Sequence, residues 1–175
     1  LISGNLGAAV NSQKKKRIAL AGTGIRGIGF WGKTVVENYG DIVEFVGLFD
    51  INPGRLEFAK KHMGVNCPVF TDFDRMMADT RPEMVIVTTV DSTHHEYIIR
   101  AMELGADVLT EKPMTTDEVK CQAILDAEKR TGKKCTVGFN YRYGTLFTAI
   151  REQLAKQPVG KITSVDFHWY LNTYH

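Results

Sequence analysis

The sequence predicts an α/β fold, a doubly wound parallel sheet with crossover helices. The beginning of a second, α+β domain follows, an open antiparallel sheet that is truncated. Three observations predict this. Short apolar runs alternate with helical stretches of about ten to fifteen residues, the signature of parallel strands joined by crossovers. One run, EMVIVTTV (83–90), is almost continuously apolar, as a central strand covered on both faces is. The last stretch, KITSVDFHWYLNTY (161–174), changes character: Asp166, His168 and Tyr170 alternate with Val165, Phe167, Trp169 and Leu171, as in a strand with one wet face.

The elements follow in order. RIALAG (17–22) is a short apolar strand, and RGIGFWGKTVVENYG (26–40) a helix with Phe30, Val35 and Val36 apolar and Gly40 as its stop. IVEFVGLFD (42–50) is the second strand. Helix 52–64 has Pro53 in its first turn, Leu56 and Ala59 in its apolar stripe and Gly64 at its end. Residues 67–82 give a brief strand and a short helix opened by Asp72 or Asp74. After strand 83–90 come helix 92–105, with Asp91 or Ser92 as its cap, and strand 107–110. Helix 115–132, capped by Thr115 or Thr116, strand 134–139 and helix 144–156 complete the series. The expected domains are a leader remnant or linker at 1–13, a nucleotide-binding domain at 14–139 and the start of a substrate or oligomerisation domain at 140–175.

Composition narrows the function. The chain of 175 residues is 43% hydrophobic and 24% charged, with a net charge of +2, too mild for a nucleic-acid partner. The one basic run, Lys14-Lys15-Lys16-Arg17, reads as a solvated lead-in to the first strand. No apolar run is long enough to span a membrane. Cys67, Cys121 and Cys135 are widely spaced and odd in number, so no metal site and no disulfide framework is expected. The compartment stays open: cytoplasmic, or periplasmic if residues 1–13 are what remains of an export signal.

AGTGIRGIG carries Gly22-x-Gly24-x-x-Gly27 directly after the first strand and at the start of the first helix. The first glycine permits the tight turn, the second lets a pyrophosphate approach the backbone, and the third lets helix and strand pack closely. Helix N-terminal N–H groups then face the anion. Gly22, Thr23, Gly24, Ile25, Arg26 and Gly27 are therefore candidate cofactor-binding residues of a Rossmann-type domain. Asp50 ends the second strand 23 positions after Gly27, near the spacing at which an acid holds the adenine ribose hydroxyls. Its alternative is a turn or capping aspartate. A carboxylate there favours NAD; Arg26 and Arg55 keep NADP open.

Strand 83–90 runs out into Thr88, Thr89 and Asp91, with His94 at the next helix start, and these four are candidate cofactor contacts at the carboxyl edge of the sheet. His94 reads equally as a structural histidine. Glu111, Lys112 and Pro113 leave strand 107–110 at the same edge. A lysine there can hold a substrate hydroxyl and stabilise a developing alkoxide, and Glu111 can orient its ammonium. Pro113 fixes the turn, in cis or trans. On local pattern alone the tripeptide also reads as a surface turn.

These motifs, in this order and context, resemble the glucose–fructose oxidoreductase / inositol dehydrogenase / rhizopine-catabolism family (Gfo/Idh/MocA) over about residues 16–175. Glu111-Lys112-Pro113 at a strand end is the specific part; the glycine motif is shared by many dehydrogenases. Val90 follows Thr89 where the family often has Pro. The resemblance implies a Rossmann domain joined to an open antiparallel sheet, NAD or NADP, and hydride transfer at a secondary hydroxyl of a sugar, inositol or related polyol. It implies Lys112 at the reaction centre, Glu111 beside the cofactor, and a substrate or nicotinamide role for Asn140, Tyr141 and Arg142 in VGFNYRY. It also implies association of the full-length form into a homo-oligomer. The family's acid/base pair lies beyond residue 175, so the fragment alone is expected to be inactive. Two other readings stay open: an NAD-dependent glycoside-cleaving enzyme that oxidises C3 transiently, and a non-catalytic dinucleotide-binding domain.

Overall fold

The computed structural model describes residues 14–156 and 160–170. The expected leader at 1–13 lies outside them. Six parallel strands form one sheet: β1 (Lys16–Ala21), β2 (Val43–Phe49), β3 (Val69–Phe70), β4 (Met84–Val87), β5 (Asp107–Thr110) and β6 (Cys135–Val137), in the order β3-β2-β1-β4-β5-β6. The chain winds outward from β1 to β3, then returns past β1 to β4 and winds outward again. Loops after β1 and β4 therefore part in opposite directions and leave a crevice at their carboxyl ends.

Alternation along the strands supplies both faces. Ile18 and Leu20 of β1 join Leu48, Leu56, Met63 and Ile86 in one buried cluster. Ala19 and Ala21 join Phe49, Val85, Val87, Ile98, Met102, Val108 and Ile124 in the other. The central strands β1 and β4 are thus buried on both sides, as parallel strands between two helical layers are. Burial of side chains this large contributes roughly 1.5–3 kcal/mol each.

Helix ends follow the local chemistry. In α2 (Pro53–Met63), Asn52 caps by accepting from the Gly54 N–H at 2.9 Å, and Gly64 closes the helix at φ +68°. Asp72 caps α3 (Phe73–Thr80), accepting from the Arg75 N–H at 3.0 Å. Neither Asp91 nor Ser92 caps α4 (His94–Glu103). A 3₁₀ turn at Asp91–Thr93 intervenes, and Thr93 Oγ1 instead donates to the Val90 carbonyl at 2.7 Å. α5 (Glu118–Thr131) starts later than Thr115 or Thr116: Asp117 caps it, accepting from the Lys120 N–H at 3.0 Å. The residues before it form an irregular loop, and an aspartate caps as well as a threonine.

The first helix is not uniform. Residues Gly27–Lys33 are π-helical and pass into α1 (Thr34–Tyr39). Gly27, Gly29 and Gly32 weaken the regular helical preference over this stretch. β4 ends at Val87; the Thr88 N–H still donates to the Ala21 carbonyl of β1 at 2.8 Å, and its hydroxyl bonds the glycine loop.

After Gly138 the chain passes into a second unit. It holds a 3₁₀ turn at Asn140–Tyr143 and α6 (Thr145–Ala155). The strand expected at 161–174 is not formed within its described part: residues 160–170 have no regular structure. A strand exists by its ladder to a partner, and none of the described residues provides one. Residues 171–174 lie outside the described residues.

Among the described residues no helix is long and apolar enough to cross a membrane. None groups three or more metal-ligating side chains.

Candidate functional site

The three glycines after β1 differ in what requires them. Gly22 has φ +92°, and a Cβ there would lie 2.6 Å from the Thr88 carbonyl carbon and oxygen. A Cβ at Gly27 would lie 2.3 Å from the Gly22 carbonyl oxygen. Both are demanded by the fold. A Cβ at Gly24 would meet nothing within 4 Å. The fold leaves space there, beside the free N–H groups of a helix start, which is the chemistry an anion needs.

Asp50 forms the next wall. It is 5% exposed. Its Oδ2 accepts from the Thr23 N–H at 2.8 Å and the Thr23 hydroxyl at 2.9 Å, and its Oδ1 accepts from the Asn52 N–H at 2.9 Å. The carboxylate thus latches the glycine loop to the end of β2. Each carboxylate oxygen has two acceptor positions, so Oδ1 retains one for a ligand hydroxyl. Gly22, Gly24, Asp50, Arg55, Thr89 and Tyr97 line one cleft of about 270 Å³.

Sequence reasoning missed Tyr97. Its ring packs 5.2 Å from both Phe49 and Phe73. Burial first, then the charges of Glu96 and Asp50, pushes its phenol above the ordinary value. An aromatic on the inner side of helix 92–105 was the available signal.

The other expected contacts are placed as follows. Thr23 is buried, its hydroxyl spent on Asp50. The Ile25 side chain is 92% exposed. Thr88 lines the cleft, and its hydroxyl donates to the Gly22 carbonyl at 2.6 Å, bracing the glycine loop. Asp91 is exposed, in the 3₁₀ turn, and does not line the cleft. His94 is 1% exposed and does not reach the cleft either. Its Nδ1 lies 2.9 Å from the Pro113 carbonyl oxygen and its Nε2 3.1 Å from that of Thr89, so it ties the lysine loop to the loop after β4.

The Glu111–Lys112–Pro113 loop differs from expectation in one respect. Glu111 does not orient the Lys112 ammonium. Its Oε1 accepts from Arg26 Nε at 2.5 Å and Trp31 Nε1 at 2.9 Å, and its Oε2 from the Lys112 backbone N–H at 3.0 Å. A buried carboxylate takes the strongest donors in reach, and a guanidinium with an indole N–H outcompetes a solvated ammonium. Burial tends to raise the Glu111 pKa, but these bonds and the Arg26 charge together bring it below the ordinary value. Lys112 is exposed, and its ammonium makes no ion pair among the described residues. The Lys112–Pro113 peptide is cis.

Asn140, Tyr141 and Arg142 belong to the second unit. There the Tyr141 ring packs 5.9 Å from Phe147 and 5.3 Å from Trp169.

Comparison with known proteins agrees with this arrangement. Residues 16–139 match the model of an oxidoreductase family described as having an NAD-binding Rossmann fold, GFO_IDH_MocA. The chain is 37% identical over 164 residues to YteT of Bacillus subtilis, whose name assigns it provisionally to the oxidoreductases. That match covers 91% of this chain and 38% of YteT. It is 28% identical over 159 residues to the inositol 2-dehydrogenase/D-chiro-inositol 3-dehydrogenase of Lactiplantibacillus plantarum, covering 86% of this chain and 44% of that one. Among solved structures, the WlbA dehydrogenase of Chromobacterium violaceum in complex with NADH and UDP-GlcNAcA superposes with a TM-score of 0.78 at 26% identity. This superposition covers 85% of this chain and 42% of WlbA. The chain spans less than half the length of these relatives. It belongs to the Gfo/Idh/MocA oxidoreductase family, and its six-stranded sheet is that family's NAD-binding Rossmann domain.

Proposed function

We propose that the protein carrying this chain transfers a hydride between NAD and a secondary hydroxyl of an inositol, sugar or related polyol. The observation that carries the reading is the crevice between β1 and β4: an open space at Gly24 that the fold does not need, beside a carboxylate with one acceptor position to spare. In this reading the N–H groups at the start of the first helix bind the pyrophosphate, and Asp50 Oδ1 accepts a ribose hydroxyl. A 2′-phosphate would be repelled by Asp50, and Arg55 in the same cleft only partly offsets that, so NAD is preferred over NADP.

The cofactor, when bound, supplies the nicotinamide that accepts or returns the hydride. Lys112, with no carboxylate partner among the described residues, is the catalytic residue: its ammonium donates to the substrate oxygen and stabilises the alkoxide, while the hydroxyl proton passes to the acid/base pair that the family resemblance places beyond residue 175. Thr89 forms the facing edge of the crevice. His94 holds the two loops together from behind. Two relatives support the substrate class, one named for inositol oxidation and one solved with a UDP-sugar.

The test is a panel of inositols, aldoses and UDP-sugars with NAD⁺ and the whole protein, read as reduced nicotinamide. One class should give reduction. Lys112→Met should lower that rate by roughly 10²–10⁴-fold, the range for a positioned acid–base group, while leaving NAD⁺ affinity within a few-fold. A Lys112→Met protein that turns over at the wild-type rate would contradict the role.

A further inference from the structure

The bonds to Glu111 come from two different loops. Arg26 and Trp31 stand at the start of the first helix, next to the glycine turn, whereas the third donor is the backbone N–H of Lys112 itself. Arg26 and Trp31 are five positions apart. In an α-helix neighbours on one face are three or four apart, so positions i and i+5 diverge. The π-helical stretch Gly27–Lys33, more loosely wound, with i to i+5 hydrogen bonds, narrows that divergence. The Arg26 guanidinium lies 4.0 Å over the Phe30 ring, and Phe30 meets Trp31 edge-on at 5.0 Å. Arg26 and Trp31 therefore face the end of β5, with Phe30 packed against both. Trp31 is also wedged against the end of β6: a Cβ at Gly138 would lie 2.8 Å from its Cζ2.

We propose that Arg26 and Trp31 are positioning residues, which clamp Glu111 and through it the backbone of Lys112, so that the cofactor loop and the lysine loop move as one piece. The π-helical turn is the device that favours the clamp, because it brings positions 26 and 31 closer to one face than a regular helix does. Arg26 adds a second link. Its side chain is 43% exposed, and among the described residues only its Nε is hydrogen-bonded. Its outer nitrogens are left for an anion at the neighbouring Gly24–Gly27 turn. An anion there would be drawn to the same guanidinium that holds Glu111, which couples occupation of the glycine loop to the order of the lysine loop. The catalytic meaning of this coupling rests on the role proposed for Lys112; the clamp itself does not.

The experiment measures hydrogen exchange of the Lys112 backbone N–H, with the Val108 N–H in the middle of β5 as control, with and without NAD⁺. Trp31→Phe keeps an aromatic ring and removes one donor. It should speed Lys112 exchange about tenfold, as one lost hydrogen bond does, leave Val108 unchanged, and leave NAD⁺ affinity within about threefold. In the whole protein it should lower kcat more than it raises KM. Arg26→Lys keeps the charge, loses the planar fork, and should speed Lys112 exchange likewise, so the test survives if Trp31→Phe does not fold. NAD⁺ should slow Lys112 exchange in the wild type and less so in Arg26→Lys. Folded variants in which Lys112 exchanges at the wild-type rate would overturn the clamp, as would variants in which Val108 speeds up equally. If the wild type binds no NAD⁺, the functional reading fails, while the comparison of exchange rates without cofactor still decides the clamp.

Discussion

Asp50 and Glu111 end two strands of the same sheet, β2 and β5, and each is 5% exposed. Their partners differ. Asp50 is held by neutral donors only, the Thr23 N–H and hydroxyl and the Asn52 N–H. Glu111 is held by a guanidinium and an indole as well as a backbone N–H. Each accepts three hydrogen bonds and keeps one acceptor position, so the count does not separate them. The charge does: the Glu111 carboxylate is paired with a guanidinium, whereas no cation bonds Asp50 among the described residues. A place at the carboxyl edge is therefore not enough to make an acid a ligand group; its partners decide.

Substitutions should separate the two acids. Asp50→Asn should weaken NAD⁺ binding by about 10- to 100-fold, the range for a lost hydrogen bond to a charged group, measured by calorimetry. Glu111→Gln should leave NAD⁺ affinity within about threefold and lower unfolding stability by about 1–2 kcal/mol in a urea titration. The larger figures for broken buried pairs do not apply, because Arg26 is 43% exposed and rehydrates. The reverse pattern, affinity lost at Glu111 and stability at Asp50, would break the comparison.

Acid should sharpen it. The pKa of Glu111 is held below its ordinary value of 4.5, with burial opposed by the Arg26, Trp31 and Lys112 bonds. Its stabilisation is thus fully present above that value and is lost as pH falls through the folded pKa. The stability gap between wild type and Glu111→Gln should be constant from neutral pH to about 4.5 and narrow below it. Asp74, held down by its bond from Arg100, and Asp117, held down by the Lys120 N–H, contribute to acid sensitivity in both proteins and cancel in the difference. A gap that widens in acid would contradict the assignment.

The smallest effect concerns the sheet behind the site. Burial, and then Glu128, pushes the Cys135 thiol up to about 12, and burial also raises Cys67. Both should resist alkylation at pH 8 in the native protein and react on unfolding, as mass spectrometry of the labelled peptides would show. Native labelling of Cys135 at the rate of the unfolded chain would mean that β6 is not docked as described.

The parallel sheet between crossover helices was legible because parallel strands leave continuous apolar runs and the glycine turn marks β1. Strand 83–90 was read too long, since Thr88 looks like a strand residue and still bonds the β1 backbone, while the ladder itself stops at Val87. The site was legible where a backbone requirement shows in the sequence, as at Gly22 and Gly27. It was not legible where two distant segments meet: nothing local in FWGK announces that Trp31 reaches Glu111, 80 positions away. For the same reason Glu111 was assigned to its neighbour Lys112, and nothing local told whether His94 would contact a cofactor or, as a structural histidine, lie between the Pro113 and Thr89 carbonyls. The strand at 161–174 failed differently, since alternation describes a surface but not the partner a ladder needs.

The account rests most on Gly24, the one fingerprint glycine that the fold does not require. The deciding measurement is a calorimetric titration of NAD⁺ into wild type and Gly24→Ala, with a thermal melt of each. The account predicts that wild type binds, that Gly24→Ala melts at the same temperature, and that it binds at least about tenfold more weakly, since a methyl group there stands where the pyrophosphate approaches. Equal affinity in the two proteins, or a folded wild type that binds no NAD⁺, would contradict it.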